Sequence, residues 1–452
     1  MKAEYLDYRR IPGQNPIFLR YLYEFESVAD WYPAGQPDAT TLARRAHQLL
    51  RSGREYPREA LVASLDRFNR LVGSGQPALE NIQTLRQSST VAVVTGQQVG
   101  LFGGPALAVH KALTAISLAR QLEQDGVRAV PVFWLASDDS DYAEVAAARL
   151  LAADGELLTV AHPGPVENGN RTVGSVRLTG VEDLLEDVGA RTAQGEFRRP
   201  VLENLRKTYA SGRTFSEAFG ALMAALFQEQ GLVLYDALTA RLKGTLTEAY
   251  STAIRRRDDI IGELRKRSEQ LQKTGLTPQV QVPEDETLLF LFRGDRRYKM
   301  SCLDGGYRTR EGSSQDFSEE ELLSLGRREP EALGPNVLLR PILQDHLFPT
   351  VAYVAGPAET AYFAQISAIA GFWGVEPAVF PRVGVTLIDA KVKRLFQKYR
   401  IGLEDILGGS PQETLHRLAK DSAAGELIRS FEGLHGSVET QAGQIEGRLE
   451  PI

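Results

Sequence analysis

The chain has 452 residues, more than one ordinary core accommodates, and its 43% hydrophobic and 24% charged residues are the balance of a folded globular protein. Asp plus Glu number 58 against 52 Lys plus Arg, a net charge of −6 that disfavours nucleic acid and anionic membrane surfaces as partners. A single cysteine, Cys302, excludes an intrachain disulfide and a thiolate metal cluster and fits a reducing compartment.

The N-terminal MKAEYLDYRRIPG lacks the apolar run of a secretory signal. The richest apolar stretch, Ala106 to Ala119, is interrupted by His110, Lys111 and Thr114, so no membrane span is predicted and a soluble, cytoplasmic protein is expected. Residues 1–85 read as a helical segment joined to the core, with apolar residues at helical spacing over Asp38 to Ser52 and Pro57 to Val72. The pattern then changes to strand, helix, strand: Val91 to Val94, Ala106 to Gln124, Val130 to Leu135. Later units repeat it, with a helix Phe215 to Gln230 before a strand Leu232 to Tyr235, and a strand Thr350 to Ala355 before a helix Ala358 to Ala370. This alternation predicts an α/β fold with a doubly wound parallel sheet, its core assembled from residues 86–150, 213–284 and 331–388.

Two insertions interrupt the core. Residues 151–212 show weak strand signals such as Thr172 to Leu178, and residues 285–330 hold a hairpin, Leu288 to Phe292 and Tyr298 to Leu303 about a Gly294-Asp295 turn. From 389 to 452 the chain turns helical. Gly408-Gly409 break the run, and Ser410 to Glu413 has the form of a capping box with proline at the first helical position. Leu427, Phe431, Leu434, Val438, Gln441 and Ile445 then recur at spacings of four and three, a heptad seam that predicts a coiled-coil arm able to pair two subunits.

Three segments carry chemistry. Between the first strand and its helix runs Thr95 to Pro105, with Gly96, Gly100, Gly103 and Gly104 giving the backbone freedom to approach a ligand. Pro105 opens a helix whose N-terminus suits an anion, and Gln97 and Gln98 can bond hydroxyls or carbonyls. The spacing matches neither G-x-G-x-x-G nor the P-loop pattern. The second segment, Trp134 to Tyr142, sets Asp138, Asp139 and Asp141 at the carboxyl end of a strand, where open α/β sheets bind ligands. Three carboxylates there call for a cation, a substrate amine or a basic side chain, although one of them suits the N-cap of the next helix. The third segment, Arg340 to Gln365, repeats the strand, Gly-Pro, helix arrangement, and Arg340 and Arg382 are candidates for holding carboxylates bidentately.

In this order the segments resemble the bacillithiol biosynthesis cysteine-adding enzyme family. The likeness rests on Gly96-Gln97-Gln98-x-Gly100-Leu101 with Gly104-Pro105 and Lys111-Ala112, and on Phe133-Trp134-x-Ala136-x-Asp138-Asp139-x-Asp141. It continues through Gln344-Asp345, Ala352-Tyr353-Val354-x-Gly356-Pro357-x-Glu359-x-x-Tyr362 and Pro381-Arg382. The resemblance covers nearly the whole chain. It implies a Rossmann-like core with two connecting insertions, a homodimer through the C-terminal arm, and a ligase that joins the carboxyl of cysteine to the amine of glucosaminyl-malate, completing bacillithiol. ATP is the expected activating nucleotide, with Mg²⁺ a candidate companion and no metal site of the protein's own assigned. Lys111, Asp139 and Asp141 are the implied catalytic residues. Substrate contacts are implied for Gly96, Gln97, Gln98, Gly100, Gly103, Gly104, Trp134, Asp138, Arg340, Gln344, Asp345, Tyr353, Gly356, Glu359, Tyr362 and Arg382.

The chain departs from the family pattern at Asp138-Asp139-Ser140-Asp141, where Glu-Asp-His-Asp is usual, and so lacks the side chain best suited to proton transfer near neutral pH. Family members also usually add a second helix after the heptad run, whereas this sequence stops at Leu449-Glu450-Pro451-Ile452, so a shorter arm is expected. Two other readings stand beside the ligase: a nucleotidyltransferase-like enzyme that activates a different small acid, and a catalytically silent binding or scaffold protein on the same fold.

Overall fold

A strand covered on both faces must be apolar at every position, and Val91, Ala92, Val93 and Val94 are all fully buried. They begin the central strand of a computed structural model that describes residues 5–36, 38–164, 169–239, 244–303, 305–310, 314–388, 390–408 and 411–420. Five parallel strands make the sheet: β1 (Val91–Gln97), β2 (Ala129–Leu135), β3 (Val233–Asp236), β4 (Thr350–Ala355) and β5 (Val379–Pro381). Their spatial order is β5-β4-β1-β2-β3. The chain therefore builds outward from β1 in one direction, then returns to β1's other side with β4. The β1/β4 boundary is the topological switch point, and a crevice opens beyond the carboxyl ends of the strands there.

The helix Leu107–Gln124 follows β1 and the helix Pro357–Ile366 follows β4, so both begin beside this crevice. Helices Ala39–Arg51, Arg58–Val72 and Gln76–Thr84 precede the sheet, and Asn69 of the second bonds both the N–H and the C=O of Leu234 in β3. The prolines and caps that punctuate residues 15–85 thus mark helices of the core. The described residues from 15 to 384 form one compact unit; the described residues up to 14 and from 385 onward form another. The latter contains helices Ala390–Tyr399, Leu403–Gly408 and Pro411–Lys420, while the expected heptad seam from Leu427 to Ile445 lies outside the described residues.

The first insertion departs from the expected pattern. A hairpin, Ala147–Leu151 with Leu157–Ala161, precedes helices Val181–Arg191 and Arg198–Thr208. Thr172 to Leu178 is not a strand. It holds a 3₁₀ turn, Val173–Ser175, because the N–H groups of Val173 and Gly174 donate to the carbonyls of Asp139 and Ser137 rather than to a strand. The second insertion contains the expected hairpin, Glu286–Arg293 with Arg296–Leu303, as the centre of a five-stranded antiparallel sheet.

The glycine turn after β1 also differs from its expected use. Gly103 and Gly104 have φ of +95° and +64°, and a Cβ on Gly100 would lie 2.6 Å from the Cα of Gly104. The close approach is therefore of the chain to itself. Buried Tyr209 closes the turn, its hydroxyl donating to Gly100 O (2.7 Å) and accepting from Gly103 N–H (2.9 Å). Gly104→Ala is expected to lower stability by roughly 1–3 kcal/mol through backbone strain. Tyr209→Phe should cost a similar ~1–3 kcal/mol through lost buried hydrogen bonds. Urea unfolding measures both, and ligand affinity in either variant should stay within about twofold of wild type, less than ~0.5 kcal/mol.

Candidate functional site

The crevice at the switch point is a cavity of about 710 Å³ lined from the strand ends by Gly96, Gln97, Gln98, Trp134, Asp138, Asp139, Tyr353 and Arg382. Its position follows from the sheet order. Gly96 is required at the end of β1, since a Cβ there would lie 2.7 Å from the Trp134 carbonyl oxygen on β2.

Across the switch point runs an ion pair. Lys111 on the helix after β1 places Nζ 2.5 Å from Oε2 of Glu359 on the helix after β4, with side chains 3% and 18% exposed. Lys111 Nζ also donates to Gly96 O (2.8 Å) and to Gln97 Oε1 (3.0 Å). Glu359 accepts from the Gly356 N–H (2.6 Å), closing the first turn of its own helix, and from the Tyr353 hydroxyl (2.7 Å). Burial works against ionising Glu359, but the neighbouring ammonium and these two donors outweigh it and hold the carboxyl below its usual range. Burial also pulls Lys111 below its usual value, opposed by Glu359.

Arg340 lies between aromatic faces, its guanidinium carbon 5.0 Å from the Tyr353 ring centre and 5.7 Å from that of Trp134. It donates to Gln344 Oε1 at 3.1 Å and reaches the Tyr362 hydroxyl at 3.5 Å. The Nε of Arg382 is buried without a hydrogen-bond partner, and one of its NH groups donates to Val383 O. Among the described residues neither arginine has a carboxylate at ion-pair distance, although the Glu359 charge acts on Arg340.

The facing wall is acidic. Asp138, Asp139 and Glu144 line it, and Glu286 enters from the second insertion, where Lys299 Nζ sits 2.8 Å from its carboxylate. Asp139 is engaged: Arg297 donates to Oδ1 (2.5 Å), the Ser140 N–H to Oδ1 (2.7 Å) and Gln98 to Oδ2 (3.0 Å). Burial opposes its ionisation, yet Arg297 and these donors keep its carboxyl below the usual value. Gln98 also donates to Glu144 (2.6 Å), which ties the acidic groups into one network. Ser140, where the family histidine is usual, faces Arg297 with Oγ 3.3 Å from a guanidinium nitrogen.

The expected site residues therefore separate into four sets. Gly96, Gln97, Gln98, Lys111, Trp134, Asp138, Asp139, Arg340, Tyr353, Gly356, Glu359, Tyr362 and Arg382 line the cavity together. Gly100, Gly103 and Gly104 do not, for the reason given by Tyr209. Asp141 is exposed and outside the lining, where its carboxylate accepts from the Glu144 N–H and caps the short helix Tyr142–Val145. Gln344 is buried behind Arg340, and Asp345 borders a separate cavity of about 500 Å³ with Arg45, Arg54 and Tyr56. Gln344 Nε2 lies 3.3 Å from Asp345 Oδ1, so these two support Arg340 from behind. Burial pushes Asp345 up to about 6. Sequence reasoning missed Arg297, Lys299, Glu286 and Phe290 in the second insertion; the hairpin was legible, but not which face it turns to the core.

Guanidiniums and carboxylates sharing one cavity at the switch point of a parallel sheet mark a Rossmann-like fold with its crevice where such sheets bind small ligands. Residues 1–383 match the model of bacillithiol biosynthesis BshC, N-terminal Rossmann-like domain, and the chain belongs to this family. Among its relatives, each described as "Putative cysteine ligase BshC", that of Salinibacter ruber is 32% identical over 438 residues, 96% of this chain and 78% of that protein. The Heliobacterium modesticaldum protein is 34% identical over 436 residues, 92% of this chain and 78% of its own length. That of Koribacter versatilis is 33% identical over 443 residues, 98% of this chain and 81% of its own. Ligase is the enzyme class to which the family's members are assigned.

The ion pair makes a testable prediction of sign. In the wild type, stability contributed by Glu359 is present above its ordinary value of 4.5 and is lost as pH falls through the lower folded value. Lys111→Met leaves the carboxylate buried without its cation, costing roughly 3–5 kcal/mol at neutral pH. It also raises the folded pKa above the unfolded one, so the variant should lose stability as pH rises above 4.5, reversing the wild-type slope. Thermal melts from about pH 4 to about pH 7, bracketing the carboxylate range, measure this, with Glu359→Gln in the Lys111→Met background expected to abolish the reversed slope.

Proposed function

We propose that this chain is an ATP-dependent ligase that joins the carboxyl of cysteine to the amine of glucosaminyl-malate, the last step of bacillithiol formation. The observation that carries the reading is the pair Arg340 and Arg382, two guanidiniums with no carboxylate at ion-pair distance among the described residues, in one cavity with Asp138 and Glu144. Such a cavity suits ligands that bear a carboxylate at one end and an amine at the other, as both substrates do, and guanidiniums equally suit the phosphates of the nucleotide. Family membership supplies the rest of the support.

A free carboxylate does not form an amide without activation, which is the role proposed for ATP. The carboxyl oxygen attacks a phosphorus of the nucleotide, displacing pyrophosphate if the α-phosphorus is attacked or ADP if the γ-phosphorus is. The amine then attacks the acyl carbon, the new C–N bond forms, the acyl C–O bond to phosphorus breaks, and one proton leaves the nitrogen. No histidine lines the cavity among the described residues, so Asp138 and Glu144 are the groups placed to accept that proton. No group of three or more His, Cys, Asp or Glu side chains among the described residues converges as a metal site. Asp139 is assigned to positioning, since Arg297 and Gln98 already engage its carboxylate.

Purified protein incubated with ATP, cysteine and glucosaminyl-malate should yield bacillithiol by mass spectrometry, together with AMP or ADP. Product formed only with another acid would support the nucleotidyltransferase-like reading, which the serine at position 140 favours, and binding without turnover would support a silent member. Arg340→Lys should reduce kcat/KM by about 10²-fold with little change in melting, because lysine neither stacks between the two rings nor offers a planar fork.

Dimerisation through the region after residue 389 is part of the same proposal. It is supported by the helices at Ala390–Tyr399 and Pro411–Lys420 and by the heptad spacing in the sequence beyond them. Light scattering should give twice the monomer mass, and truncation after Gly384 should return a monomer. A cytoplasmic setting is proposed with it; among the described residues no helix is long and apolar enough to cross a membrane.

A further inference from the structure

Beside the main cavity lies a second, much smaller one. It occupies about 60 Å³ and shares three lining residues with the first, Trp134, Asp138 and Pro335. The two spaces are thus neighbours around one tryptophan and one aspartate. The remaining walls are mostly aromatic and aliphatic, with Tyr235, Tyr250, Phe292 and Leu343 prominent and Glu331 the other acidic member. Trp134 packs tilted against Tyr235, ring centres 4.2 Å apart and planes 38° apart, which restricts the indole. Its Nε1 is buried and has no hydrogen-bond partner, a donor left unused in a side chain only 5% exposed.

These features set the size and chemistry of an occupant. At roughly 10–15 Å³ for one water-sized group, the space takes a few heavy atoms and no sugar ring. Aromatic walls favour a polarisable group, and sulfur makes favourable contacts with aromatic rings while accepting a weak hydrogen bond from an N–H. Asp138 stands where both cavities meet, so an occupant whose side chain enters the small cavity can bring an adjoining ammonium to that carboxylate. Its carboxyl then extends into the main cavity, toward the arginines.

We infer that the cavity behind Trp134 is the side-chain subsite for the amino-acid substrate, selecting a short thiol-bearing side chain by size and by its aromatic lining. The inference rests on the ligase reading and deepens it by assigning the amino acid and the sugar conjugate to different spaces. Leu246 and Ala237 also line the small cavity and are partly exposed rather than fully buried, so they can be altered with limited disturbance to the core.

Amide formation is measured with cysteine, alanine, homocysteine and methionine, using wild type, Leu246→Ala and Ala237→Leu, with melting curves to confirm folding. Wild type should prefer cysteine over the longer side chains by roughly 10²-fold in kcat/KM, the scale available to a close-fitting apolar pocket. Leu246→Ala should narrow the gap to homocysteine by about tenfold, one or two methylenes' worth of space. Ala237→Leu should lower kcat/KM for cysteine by a similar ~10-fold or more while leaving the KM for glucosaminyl-malate unchanged. Unchanged amino-acid ranking in both folded variants, with wild-type turnover intact, overturns the subsite and leaves the ligase reading standing. If wild type turns over no amino acid, the ligase reading fails, and calorimetric binding of cysteine and homocysteine decides the subsite. A shift in their ranking in Leu246→Ala supports it, and equal binding of cysteine and alanine to wild type overturns it.

Discussion

The Lys111–Glu359 ion pair is the contact on which the geometry of the cavity depends. A parallel sheet that reverses its winding direction leaves its two flanking helices diverging at the switch point, and the space between them is the binding crevice. Here one residue from each helix meets across that space, and each is also bonded to the strand end behind it, Lys111 to Gly96 on β1 and Glu359 to Tyr353 on β4. A pair this buried contributes little net stability when the cost of dehydrating both charges is counted. What it contributes is registration. The width of the crevice and the placement of Tyr353 are fixed by groups that cannot be parted without stranding a charge.

Registration at one point permits an imbalance at another. Arg340 is kept in place without a carboxylate, by two aromatic faces, the Gln344 amide and the long contact to Tyr362. Aromatic and amide contacts orient a guanidinium while leaving most of its charge available to a ligand. Glu359 is the nearest carboxylate on that side, and Lys111 already engages it. Glu359 still acts on Arg340 through its charge, but its closest cation is Lys111, and no carboxylate reaches Arg340 at ion-pair distance among the described residues.

Much of the fold was legible because its signals are local. The buried run at Val91, the glycine that follows it and the apolar stripe to Gln124 each specify their own structure, and β4 with its Gly-Pro helix start repeats the logic. The site was legible where it coincides with strand ends. It was illegible where the deciding partner is distant: Asp139 is paired with Arg297, 158 positions away, and nothing in either neighbourhood announces the other. The glycines after β1 show a different limit. A sequence reveals that a backbone must approach something closely, but not whether that is a ligand or the chain itself, and Tyr209, just past a helix over a hundred residues on, supplied the answer. Asp141 was one of three similar carboxylates, and only the position of the Glu144 N–H distinguishes the cap from its neighbours.

The acidic wall resolves what the missing histidine costs. Of the carboxylates after β2, Asp141 is spent on a helix cap and Asp139 on Arg297, which also tethers the second insertion over the crevice. Asp138 lines both the large and the small cavity. An imidazole at position 140 would compete with Arg297 for Asp139 and, when protonated, would set a second cation beside the first. Serine removes that competition and adds its own hydroxyl to the latch, 3.3 Å from the Arg297 guanidinium. In the reaction proposed for this chain, proton acceptance then falls to carboxylates, which is workable: an amine that has already attacked an acyl carbon is strongly acidic, so a weak base suffices to take its proton.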